Sequence, residues 1–91
     1  MYIVDNIKSE ILSYKKQLLD LEEALHINLL KDKLSELQFE VERPDFWDNL
    51  SYSTKIMQEI KLYENKIKKY KDIKALFEDV LTLIEMYEEE N

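Results

Sequence analysis

The chain has 91 residues, with no Gly, no Cys, one Pro and one His; 36% of residues are charged, 45% are hydrophobic, and the net charge is −7. Without Gly there is no phosphate-cradling loop, dinucleotide fingerprint or nucleophile elbow; without Cys there is no disulfide framework, thiolate nucleophile or Cys-based zinc site; and His26 alone supplies neither a histidine metal site nor a catalytic triad. This composition predicts one all-α domain over residues 1–91, with one modest core, no metal and no cofactor.

The apolar residues Val4, Ile7, Ile11, Tyr14, Leu18, Leu21 and Leu25 step by three and four, which is one heptad seam. Good helix formers such as Lys15, Lys16, Glu22 and Glu23 lie between them, and the spacing predicts a first helix over about 3–25. A second seam, Ile27, Leu30, Leu34, Leu37 and Val41, is out of phase with the first by two residues. That slip, with Asn28 as a cap, predicts a break near 25–28 and a second helix over about 28–42. The alternative is one long helix with a phase shift.

Pro44 ends the second helix because it lacks an N–H and disfavours α geometry at Arg43. The segment Pro44-Asp45-Phe46-Trp47-Asp48-Asn49 then places two large aromatics in a polar turn. They either plug the end of the bundle, Trp47 mostly buried against the ends of helices two and three, or form an exposed aromatic docking surface. After Asn49 as a cap, Ile56, Ile60, Tyr63, Ile67, Tyr70, Phe77, Leu81 and Ile84 keep one phase with Lys74 as its one polar member, which predicts a long third helix over about 50–88, bent or straight near Asp72. The expected architecture is an antiparallel three-helix bundle or coiled coil with one long C-terminal helix. Helix one is expected to lie antiparallel against helix two by a short turn, with both packing on helix three and Leu12, Leu19, Leu29 and Phe39 as extra apolar positions.

A chain this acidic is not a generic binder of nucleic acid or membrane, and no apolar run approaches the roughly 20 residues needed to cross a bilayer. The N-terminus has no targeting pattern, so the expected location is cytoplasmic. Residues 50–74 nevertheless carry seven Lys against Glu59, Glu64 and Asp72, and Lys61, Lys68 and Lys69 cluster on one side of the third helix. Such clustering suits phosphate contact, or simply a solvated face. The 20 carboxylates fall between seam positions rather than in a paired cleft, and His26 lies at a helix junction. A helical chorismate mutase would need several Arg to grip its dicarboxylate, and only Arg43 is present. The chain is therefore expected not to be an enzyme and to take no small-molecule substrate.

Leu34-Ser35-Glu36-Leu37, the run Glu42-Arg43-Pro44-Asp45-Phe46-Trp47-Asp48-Asn49, the Lys- and Glu-rich helix after it, and Leu81, Leu83, Ile84, Glu85 and Met86 together resemble the N-terminal domain of the bacterial peptide chain release factor 2 family. The resemblance covers essentially the whole chain, and Pro44-Asp45-Phe46-Trp47-Asp48 is its most specific part. It implies a helical domain that reaches the stalk-base region of the ribosome in translation termination, with Lys61, Lys68 and Lys69 as candidate contacts. The family's Gly-Gly-Gln and Ser-Pro-Phe tripeptides lie in later domains and have no counterpart here, and Leu50 stands where many relatives have Pro. The chain thus corresponds to domain 1, as an excised domain or a truncated product. The competing reading is a stand-alone coiled-coil scaffold or adaptor. In the family another amphipathic helix returns along the long one; without it, Ile73, Leu76, Val80, Leu83 and Tyr87 form an uncovered stripe, through which two copies are expected to pair antiparallel.

Overall fold

The computed structural model describes residues 2–90, Tyr2 by its backbone alone, so the ends of the expected domain, Met1 and Asn91, lie outside the described residues. The described residues form three α-helices and one short 3-10 turn: α1 (Tyr2–Leu25), α2 (Ile27–Val41), the turn Phe46–Asp48, and α3 (Leu50–Glu90). This is the all-α architecture with a long C-terminal helix that the heptads predict, and α3 is unbroken at Asp72. The chain divides into two compact units, one built from residues 1–25 and 70–91, the other from residues 26–69.

The break between α1 and α2 is a single residue. His26 adopts the left-handed conformation, φ 51° and ψ 50°, and its carbonyl accepts from Leu30 N–H at 2.9 Å to begin α2. Asn28, expected as the cap, lies inside α2, and the His26 side chain makes no capping bond. The reason lies in the phase slip. Leu25 and Ile27 are two residues apart, about 200° around a continuous helix, so one uninterrupted helix would carry the two seams on opposite sides. Histidine tolerates the left-handed region better than most residues other than Gly, and there is no Gly to use. Ile27 is the beneficiary, at 1% exposure.

In the unit of residues 26–69, α2 and the first part of α3 are joined by the short segment 42–49 and run antiparallel. Leu34, Leu37 and Val41 of α2 pack on Phe46, Ile56 and Ile60. Ile67 is buried too. Asn49 caps α3 as expected: its side-chain Oδ1 accepts from Tyr52 N–H at 3.1 Å. Phe39 and Leu29 face solvent, because they lie off the seam.

In the other unit, α1 pairs with residues 70–90 of α3. Lys8 near one end of α1 binds Glu88, and Glu22 near the other end bonds Tyr70, so the two segments are antiparallel. Tyr70 is buried, while Ile11, Leu18, Leu21, Phe77, Val80, Leu81 and Ile84 are only half-buried. Two helices cover one face of each other and leave the adjoining face open. Leu12 and Leu19, on the far side of α1, are exposed.

Candidate functional site

The loop after α2 forms because Pro44 bars further helix and two backbone bonds turn the chain: Phe46 N–H to Arg43 carbonyl and Asp48 N–H to Asp45 carbonyl, each 3.1 Å. The 3-10 turn that results spaces its residues about 120° apart. Phe46 and Trp47 therefore cannot point the same way. Phe46 enters the core at 3% exposure, and Trp47 remains 58% exposed. This corrects the expectation that Trp47 plugs the bundle end; Phe46 alone does so.

Ser53 locks the turn to α3. Its hydroxyl is wholly buried and donates to the Phe46 carbonyl, with the Asn49 carbonyl 2.8 Å away as the other acceptor. On the outside, Arg43 Nη1 donates to Glu40 Oε1 at 2.6 Å and Arg43 Nη2 to Asp45 Oδ2 at 3.3 Å, while the Tyr52 hydroxyl donates to Glu40 Oε1 at 2.8 Å. The hydrogen bond and charge of Asp45, then the charge of Glu40, raise the Arg43 pKa. The hydrogen bond to Glu40 raises that of Tyr52. Sequence reading missed Ser53, Tyr52 and Glu40. The available signal was a Ser four residues after the Asn49 cap, one helical turn on and so on the same side.

Trp47 borders an open hollow of about 510 Å³ whose other walls include Met57, Ile60, Lys61 and Glu64. The structure thus brings Lys61, a candidate contact, beside the exposed indole. Lys68 lies one heptad beyond Lys61 on α3, with Lys69 next to it. Pro44, Asp45 and Asp48 are exposed around the turn. Among the described residues, no group of three His, Asp or Glu side chains is placed to hold a metal ion, and no helix is long and apolar enough to cross a membrane.

The candidate stripe lies in the other unit. Leu76 and Leu83 are each 65% exposed, Ile73 and Tyr87 are also exposed, and Val80 is half-buried. The heptads placed these residues on one side of the helix; the structure adds that α1 covers only the neighbouring side, which carries Phe77 and Ile84.

Among known proteins, the chain is similar to peptide chain release factor 2 of several bacteria. It is 29% identical to that of Clostridium perfringens (strain SM101 / Type A) over 86 residues, 94% of this chain and 24% of the relative. It is 28% identical to that of Exiguobacterium sp. over 87 residues, 96% of this chain and 24% of the relative. The corresponding protein of Saccharopolyspora erythraea is 29% identical over 70 residues, 77% of this chain and 19% of the relative. The chain therefore spans about a quarter or less of the length of the curated relatives it matches. No family model matches it, and no solved structure matches it.

Proposed function

We propose that this chain is the non-catalytic N-terminal helical domain of a class I peptide chain release factor, acting in the cytoplasm to support ribosome association in translation termination. The observation that carries this reading is the similarity to release factor 2 over 86 of 91 residues, a span that runs across the Pro44–Asp48 turn. The contact face is the hollow beside Trp47, with Lys61, Lys68 and Lys69, turned toward the stalk-base region. An exposed aromatic face beside ammonium groups is what ribosomal RNA accepts: stacking for a splayed base and neutralisation for phosphate. The absence of Gly, and with it of a Gly-Gly-Gln tripeptide, supports a role without catalysis.

The test has two arms. The reading frame that continues from this chain should encode Gly-Gly-Gln; a frame without it removes the release-factor reading. In the full-length factor, Lys61→Glu with Lys68→Glu and Lys69→Glu should weaken ribosome co-sedimentation, most at low salt. Trp47→Ala should weaken it without unfolding the domain. Unchanged ribosome affinity for both variants removes this contact face. The second reading, a coiled-coil scaffold whose copies pair through Ile73, Leu76, Val80, Leu83 and Tyr87, is favoured by the exposure of Leu76 and Leu83; sedimentation of the isolated chain as a monomer at high concentration removes it.

A further inference from the structure

We infer that the hollow beside Trp47 holds a two-nucleotide step of single-stranded RNA, one base stacked on the indole and its neighbour selected as guanine by Glu64. The inference rests on the ribosomal RNA contact proposed above and adds which base that contact prefers. The hollow is lined wholly from the unit of residues 26–69, by Trp47 and one run of α3 from Thr54 to Glu64. That run rises about 15 Å. Ile60 is buried, while Trp47 and Met57 are exposed. In chain order Trp47 comes first, Lys61 lies beyond Met57, and Glu64 comes last. An aromatic face, a cation and a carboxylate thus follow one another along one open surface. Lys61 and Glu64 are exposed and only three residues apart, yet no ion pair joins them among the described residues, so both charged groups are open to a ligand.

Each group has a task that RNA chemistry supplies. The indole stacks on any base, because every base has a π-face. The Lys61 ammonium neutralises the phosphate that follows. Glu64 does not fit a site blind to sequence, since a carboxylate repels phosphate. A carboxylate accepts hydrogen bonds and donates none, so it favours a base edge with adjacent donors. Guanine alone presents two neighbouring donors, N1–H and N2–H, on its Watson–Crick edge, and a carboxylate accepts both at once. The adenine amino group lies beside the N1 acceptor and the cytosine amino group beside N3, while the uracil N3–H lies between two carbonyls. Each of those three sets a lone pair against the carboxylate. An unpaired strand exposes this edge, and a duplex hides it. Gln58, with a donor and an acceptor on one amide, cannot make the choice; Glu64 makes it.

Trp47 is the one Trp of the chain, so its fluorescence reports on this hollow alone. The probes are uridine heptamers with a central G, A, C or U, titrated into the full 91-residue chain. The G heptamer should quench the indole and bind about tenfold tighter than the other three. Glu64→Gln, at an exposed position, should bind all four with equal affinity and unchanged circular dichroism. Lys61→Gln should weaken all four alike and reduce the salt dependence. Equal affinity of the unmutated chain for the four heptamers, preference for another base, or a guanine preference that survives Glu64→Gln would overturn the inference and leave the ribosomal contact face standing. Binding of no heptamer overturns it as well, and co-sedimentation of the Lys and Trp47 variants then decides the contact face by itself.

Discussion

The rings of Phe46 and Trp47 meet edge to face, centroids 4.9 Å apart and planes at 88°, with one ring in the core and the other in solvent. Adjacent aromatics thus divide two tasks: one holds α2 to α3, and the other offers a surface.

That division has an energetic consequence. Phe46→Ala should destabilise the chain by about 3–5 kcal/mol, since it empties a site lined by Ile56, Ile60 and Val41. Trp47→Ala should cost about 1 kcal/mol, the worth of its contact with the Phe46 ring. Urea denaturation of the two variants checks the difference; comparable losses would mean that the indole is part of the core.

Ser53 is small, buried and doubly placed. Ser53→Ala should cost about 1–3 kcal/mol, because the Phe46 carbonyl loses its donor in a dry environment. Ser51→Ala, at an exposed position on the same helix turn, should stay within about 0.5 kcal/mol. Thermal melts of both variants distinguish the buried bond from a general effect of losing a hydroxyl.

At the α1–α2 junction the backbone itself is the test. His26→Gly should raise stability by up to about 1 kcal/mol, since Gly occupies φ 51° without a Cβ clash. His26→Val should lower it by about 1–2 kcal/mol, because a β-branched residue resists that conformation. A destabilised Gly variant would show that the imidazole contributes more than its backbone geometry.

Tyr70 makes stability depend on alkaline pH. Burial, then the hydrogen bond to Glu22, raises its pKa above the ordinary 10.0. The neutral phenol is the native form, so its contribution is complete below about pH 10 and is lost as pH climbs toward the raised value. Melting temperature should therefore fall above about pH 10, and Tyr70→Phe should flatten that fall. Parallel alkaline limbs for the two proteins would show that the buried hydroxyl is not the group responsible.

Much of this molecule was legible in its heptads. Apolar steps of three and four mark which side of each helix packs, since that periodicity is local, although Ile7 and Tyr14 on the α1 seam stay exposed, and Pro44 and Asn49 mark an end and a start by their own chemistry. Three things were not legible, for separate reasons. A three-residue turn has no period, so only its packing beside Ser53 decided that Phe46 rather than Trp47 goes inside. The break falls at His26 rather than at a cap on Asn28 because it is made by the left-handed backbone of His26, with no side-chain capping bond for the sequence to signal. Periodicity also gives a helix its apolar face without naming a neighbour; α1 covers Phe77 and Ile84 on α3, and that choice left Leu76 and Leu83 open. That neighbour could not be read from the heptads, because a helix periodicity specifies angles around its own axis and nothing about the axis beside it.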